Sequence, residues 1–209
     1  MRKRPRRSTF IVHPGVEHPE EFSKEEVETL SRRLGLPARA VVVGILGRLE
    51  PWKGQHRFLR ALANLRERGH EVHGLVVGGE AYGLSPGYER QLRDLAGALG
   101  LNGRVTFTGQ VDNVAPYVRA MDLLVNASIN EPFGIVLLEA MSAGVPVVAL
   151  DLAGPVEIVE HGRTGLLVPT SAAADLAAAI ERVLVDPGLR RRLGEAGRAR
   201  FAESFTAQH

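Results

Sequence analysis

Two pairs of charged residues stand out by type and spacing. Arg48 and Lys53 share the segment GRLEPWKGQ at 47–55, and Glu131 and Glu139 lie eight positions apart in NEPFGIVLLEAMSAGVPVVAL at 130–150. The first pair sits between Gly47 and Gly54, just before a helix start. Two cations, free amides at a helix N-terminus and glycines that let the backbone come close would suit an anion such as a diphosphate. The loop is not a P-loop, because its lysine precedes the second glycine at the wrong spacing, and no G-x-G-x-x-G opens the helix. Taken alone, it could equally be two surface cations on a turn.

The second pair raises a different question, because the stretch is apolar for most of its length and yet carries Glu139 in its middle. A buried, unpaired carboxylate is costly, so Glu139 needs a partner, and ribose hydroxyls are suitable donors. Asn130-Glu131-Pro132-Phe133-Gly134 leads into the helix, whose first free amides form a second anion cradle. Glu139 lies about one and a half turns in, at roughly 1.5 Å rise per residue, within a sugar's length of the helix start. Glu131 is placed to hold the hydroxyls of a second sugar. The alternative is a Glu139 at a solvent-facing helix edge, or one paired with arginine.

Weaker signals lie nearby. Gly78 and Gly79 read first as a tight turn. TGQVDN at 108–113 leaves a strand and could offer main-chain groups to a planar base. His70 and His73 in HEVH lack the helical two-histidine zinc spacing and are expected at the surface, so no metal site is expected.

These residues must be positioned by strands and helices in alternation. VVVGIL at 41–46 reads as a fully buried strand. Residues 54–68 carry helical spacing in Phe58, Leu59, Leu62 and Leu65 and end at Gly69. The beat continues with strand 71–77, a helix with Pro86 near its start, strand 104–109, a short helix at 114–120 and strand 122–126. Helix 134–143 and strands 146–150 and 164–168 follow. Two helices close the chain: Ser171 is expected to cap one that stops at Asp186 and Pro187, and a charged one follows. This pattern predicts an α/β fold with a doubly wound, parallel, six-stranded sheet. Ligands in such sheets bind beyond the carboxyl ends of the strands, where both charged segments fall.

Composition sets the outer bounds. A chain of 209 residues with 44% hydrophobic side chains fits one large domain. It has no run of eighteen apolar residues, so it reads as soluble, with the cytoplasm as the default. With no cysteine, disulfides, thiolate metal sites and a cysteine nucleophile are excluded. Net charge is +2, but Arg2, Lys3, Arg4, Arg6 and Arg7 supply five of the 26 basic residues, leaving 21 against 24 acidic ones. The body is therefore faintly acidic and carries no nucleic-acid footprint. The basic head reads as a solvated tail, with peripheral membrane contact as its alternative.

At this point the ordered motifs resemble a family: the nucleotide-sugar glycosyltransferases of the two-domain GT-B type, in the large retaining group that includes sucrose and glycogen synthases. VHPGVE resembles its interdomain segment, GRLEPWKG its diphosphate clamp, RVTFTGQV its base-binding strand and loop, EPFGIVLLE its Glu, seven residues, Glu signature, and AGPVEIVEHGRTGLLV the segment closing the sheet. The resemblance implies a Rossmann-like domain at 21–209, preceded by a basic tail and interdomain segment at 1–20. It also implies roles: Arg48 and Lys53 on the donor diphosphate beside Gly47, Glu139 on the ribose, Glu131 on the transferred sugar. Backbone groups of Phe133, Gly134, Ile135 and Val136 would meet sugar and phosphate, and Val111 would lie beside the base. Glu131, Arg48 and Lys53 are the implied catalytic residues. The implied substrate is a nucleoside-diphosphate sugar, with no required metal or other cofactor, and the implied partner is an N-terminal acceptor domain in cis or in trans. A stand-alone nucleotide-sugar-binding subunit and a nucleotide-sugar epimerase of similar fold remain the alternatives.

Overall fold

The computed structural model describes residues 23–38, 40–80 and 83–206. The basic tail and VHPGVE lie outside the described residues.

The strands are β1 (Val41–Leu46), β2 (Val72–Val77), β3 (Val105–Phe107), β4 (Leu123–Asn126), β5 (Val147–Leu150) and β6 (Leu166–Val168). They form one sheet in the order β3-β2-β1-β4-β5-β6, and every pair is parallel. Connections run outward from β1 to β3 and then return to its other side at β4. The order of winding therefore reverses between β1 and β4, and the carboxyl ends of these two strands mark the place where ligands bind in such sheets.

The helices are α1 (Lys24–Arg33), α2 (Gln55–Glu67), α3 (Tyr88–Ala98), α4 (Ala115–Arg119), α5 (Ile135–Ser142), α6 (Pro155–Ile158), α7 (Ala173–Val185) and α8 (Pro187–Ser204). Alternation along β1 shows how both sheet faces are covered. Val43 and Ile45 point into a core with Phe58 and Leu59 of α2 and Ile180 of α7. Val42 and Leu46 point the other way, into a core with Leu137 and Met141 of α5 and Phe201 of α8. A strand apolar on both faces is what a doubly covered parallel sheet demands.

Several expectations are corrected here. His73 is buried in β2, not at the surface, and its Nε2 lies 2.9 Å from Thr106 Oγ1 on β3. β2 is an interior strand covered on both faces, and desolvation there lowers the His73 pKa. His70, by contrast, is partly exposed and meets Glu181 at 2.6 Å. Ser171 does not cap α7: the N-cap is Ala172, with no side-chain cap bond. Thr170, just ahead of it, accepts from the Ala172 amide at 3.2 Å and donates to Asp175 in the first turn, without capping the helix amides. Pro86 lies before the first residue of α3, whose N-cap is Gly87.

Candidate active site

The charged cluster is built from the loops that follow β1 and β4. After β1 the chain runs through Gly47 and Arg48 into a single 3-10 turn at Pro51–Lys53, and Gly54 then starts α2. The turn closes with Lys53 N donating to Glu50 O at 2.9 Å. Gly54 has φ 83°, and a β-carbon on it would lie 2.2 Å from the Ala127 carbonyl oxygen, which only glycine avoids. Ile129 N donates to Trp52 O at 3.0 Å. The loop after β1 is thus stitched by backbone contacts to the loop after β4.

Across that seam Lys53 meets Glu131. Lys53 Nζ lies 2.8 Å from Glu131 Oε2, with 14% and 8% of the two side chains exposed. Ser128, itself buried, donates from Oγ to the same carboxylate oxygen at 3.1 Å. Lys53 also stands 4.3 Å from the centre of the Trp52 ring. The indole N–H of Trp52 donates to Glu50 Oε2, while Glu50 Oε1 faces Arg48 Nε at 3.1 Å. That last contact is an ion pair without hydrogen-bond alignment, since Glu50 Oε1 makes no hydrogen bond. Gln55 holds the Arg48 backbone, its Nε2 donating to Arg48 O at 2.8 Å. The two cations therefore share a loop but take different carboxylates.

Glu131 leads into α5, whose N-cap Gly134 has φ 106° and whose first turn has no side-chain cap. A left-handed residue there turns the chain sharply into the helix and leaves the first amides open to an anion. Ile135 is exposed, Val136 partly buried, and Leu137, Leu138 and Met141 are sealed in the core. Phe133 packs edge-on against Phe205, just past α8, with ring centres 6.4 Å apart. Arg200 fixes that end of α8. It donates to Ile158 O at 2.7 Å and to Glu157 O at 3.0 Å, pairs with Glu160 and lies 5.5 Å from the Phe205 ring centre.

Glu139 is the single charged residue of α5. It is partly buried, and its carboxylate makes no hydrogen bond or ion pair with the described residues. Burial alone pushes its pKa up to about 7. The arginine-paired alternative does not describe it, and its carboxylate oxygens keep some contact with solvent. It is a desolvated acceptor without a protein donor, as a ligand-directed carboxylate would be.

Beside these groups lies a cleft of about 290 Å³ lined by Leu46, Gly47, Arg48, Val77, Gln110 and Val111, among others. Gly47 is anchored by its amide to Val77 O at 3.0 Å. Gly78 is required by close packing within the protein: a β-carbon there would lie 2.1 Å from Gly47 O. The backbone after β3 is still tied as far as Gly109, whose carbonyl accepts from Gly78 N at 3.1 Å, so its release begins at Gln110. A larger groove of about 750 Å³ between α1 and the 108–117 segment shares Gln110 and Val111 but contains neither Lys53 nor Glu131. The smaller cleft likewise lacks Lys53, Glu131 and Glu139 among its lining residues, but it contains Arg48 and Gly47, beside which the Lys53 stem runs.

Structure thus brings Lys53 to Glu131 at the head of α5, and Gly47 and Arg48 to Val111 in the cleft. No direct contact joins Glu139 to either group. Sequence reasoning passed over Glu50, Trp52, Gln55 and Ser128. The lone tryptophan inside a charged loop was a readable signal for Trp52; the other three declare themselves through contacts that only the fold creates. Among the described residues no group of three or more His, Cys, Asp or Glu could hold a metal ion, and no helix is long and apolar enough to cross a membrane.

The family model for glycosyl transferases group 1 matches residues 26–200. The chain belongs to that family. D-inositol 3-phosphate glycosyltransferase of Streptomyces bingchenggensis is 37% identical over an alignment of 203 positions that covers 93% of this chain and 44% of that protein. Anabaena HepE, solved in complex with UDP and glucose, superposes with a TM-score of 0.82 at 34% identity, over 88% of this chain and 49% of HepE. Sucrose-phosphate synthase of Thermosynechococcus elongatus gives a TM-score of 0.81 at 35% identity, over 93% of this chain and 48% of the synthase. The α/β sheet is therefore a Rossmann-like unit of the GT-B glycosyltransferases, and the chain spans about half the length of the curated relatives it matches.

Proposed function

We propose that the chain is the donor-binding half of a retaining glycosyltransferase of hexosyl type, which moves a sugar from a nucleoside diphosphate to a hydroxyl acceptor. The observation that carries this reading is the 2.8 Å contact of Lys53 with Glu131 at the open head of α5. Its support for the reading is that a cation, a carboxylate and uncapped helix amides lie within one small region.

In this reading the nucleotide enters the cleft, with its base beside Val111 and its ribose hydroxyls donating to Glu139. The diphosphate takes Lys53, the terminal nitrogens of Arg48 and the first amides of α5, with Gly47 and Gly134 allowing the backbone to come close. Backbone groups of Phe133, Ile135 and Val136 line the sugar and phosphate path. When the diphosphate draws Lys53 away, Glu131 is freed for the hydroxyls of the sugar. The glycosidic bond breaks with its electron pair going to the diphosphate, whose growing charge these cations and amides stabilise without a required metal. Retention of anomeric configuration rests on the Glu131 and Glu139 spacing shared with the retaining group this chain resembles.

The acceptor side belongs to a second half, in cis or in trans. On its own the chain should bind donor weakly and turn it over slowly or not at all, because catalysis needs both substrates held together in a dry cleft. The test uses the sole tryptophan, Trp52, which stacks with Lys53. Titration with UDP, GDP and ADP should shift its fluorescence with at least one of them, and Lys53→Ala should weaken that binding more than about tenfold. A wild-type chain that binds none of the three nucleotides, by fluorescence and by calorimetry, would falsify the proposal.

A further inference from the structure

Glu131 is anchored through one oxygen only. Oε2 accepts from Lys53 Nζ at 2.8 Å and from Ser128 Oγ at 3.1 Å. Oε1 has no protein partner among the described residues and is not sealed from solvent. Ser128 is 3% exposed, and its own amide donates at 3.0 Å to the side-chain oxygen of Asn126, the last residue of β4. A short run of hydrogen bonds thus leads from the rigid end of a central strand to the carboxylate.

The two anchors differ in permanence. Lys53 carries its charge on a flexible four-carbon stem, and it is the group a diphosphate would take. Ser128 is buried, carries no charge and has nothing to offer a phosphate from its present position. Once Lys53 turns to the phosphates, the Ser128 hydroxyl is the hydrogen bond that stays on Oε2. A carboxylate free to rotate would lose part of its contact with the sugar to the entropy of fixing it.

We propose that Ser128 is a positioning residue for the donor sugar: its hydroxyl holds Glu131 by Oε2 so that Oε1 faces the sugar after Lys53 has been drawn to the diphosphate. This rests on the donor-binding reading above. It predicts a selective defect, because the nucleotide and the phosphates do not depend on Ser128.

The experiment compares UDP with UDP-glucose on the full chain, by calorimetry and Trp52 fluorescence, for the parent, Ser128→Ala and Ser128→Thr. Ser128→Ala should bind UDP within about twofold of the parent but lose about fivefold in UDP-glucose affinity, the scale of one net hydrogen bond. Ser128→Thr, which keeps the hydroxyl, should restore the sugar-dependent part, and thermal melts should show all three chains folded. Equal losses for UDP and UDP-glucose in Ser128→Ala would mean a general loosening of the loop and overturn the proposal, as would no loss for either. A parent chain that binds UDP but gains nothing from the glucose overturns the sugar contact and this inference with it, leaving nucleotide binding intact. Absence of any nucleotide binding in the parent sinks the donor-binding reading itself.

Discussion

Lys53 and Glu131, 78 residues apart in sequence, meet at 2.8 Å where the loops leaving β1 and β4 come together. Both side chains are largely buried, so each is the other's compensation for lost hydration. Removing the cation strands a buried carboxylate. Lys53→Ala should therefore lower stability by about 2–4 kcal/mol in urea melts, besides weakening nucleotide binding. Lys53→Ala combined with Glu131→Gln should recover most of the stability and none of the binding. Stability unchanged in the single variant would mean that the pair is loosely held in solution.

Glu139 gives a pH dependence whose sign can be stated. Its folded pKa, about 7, lies above the ordinary value of 4.5 because burial disfavours the charge. Its contribution to stability is therefore fully present below about pH 4.5 and is lost as pH rises through 7. Above pH 7 the uncharged Glu139→Gln should be more stable than the parent, by about 1–2 kcal/mol after allowance for partial exposure, and near pH 4.5 the two should converge. Melts at pH 5 and pH 8 check this; parallel curves at both would reject the shifted pKa.

Nucleotide affinity should move the other way. In the proposed complex ribose hydroxyls donate to the ionised carboxylate, so UDP binding should strengthen as pH rises from 6 to 8, with release of a proton on binding. Calorimetry in buffers of different ionisation enthalpy would detect that proton. Glu139→Gln should flatten the profile and should weaken UDP more than inorganic pyrophosphate. A variant that loses both ligands equally would take Glu139 away from the ribose.

Gly54 joins the two loops at a point where no side chain fits. Gly54→Ala would place its β-carbon 2.2 Å from Ala127 O at a backbone φ of 83°. The expected cost is about 2–4 kcal/mol of stability, with UDP binding impaired even where the chain remains folded, because the contact is between backbones and cannot yield by a rotamer change. Gly162→Ala is the control: its φ is 78° but nothing lies within 4 Å, so strain without collision should cost only about 1 kcal/mol.

If cations and helix amides carry the diphosphate, chelation should not matter. UDP titrations with EDTA and with added magnesium should agree within about twofold. A tenfold loss on chelation would require a metal in the donor complex.

Much of the sheet was legible because its strands are buried on both faces and read as short apolar runs between helical spacings. VVVGIL and VHGLVV could be placed from the sequence for that reason. The first helix was not, since α1 is polar almost throughout and buries only Leu30. Its N-terminus was nonetheless written in the chain: Ser23 and Glu26 form a reciprocal capping box. His73 was misplaced because a histidine pattern says nothing about whether its strand lies inside the sheet. In the site, Lys53 and Glu131 were identified by type and motif, but their contact depends on winding order, as do those of Glu50 and Ser128. Glu139 showed itself through hydrophobicity alone, because a lone acid in an otherwise apolar helix asks for an explanation before any fold is known.

The edge-on packing of Phe205 against Phe133 has a consequence for the loop that leads into α5. Phe133 is two residues beyond Glu131, and Phe205 is held by an arginine locked onto the last two carbonyls of α6. The closing helix thus braces that loop from behind. In the proposed donor complex, loss of the Arg200 contacts would leave nucleotide recognition in place but present the sugar on a slack support.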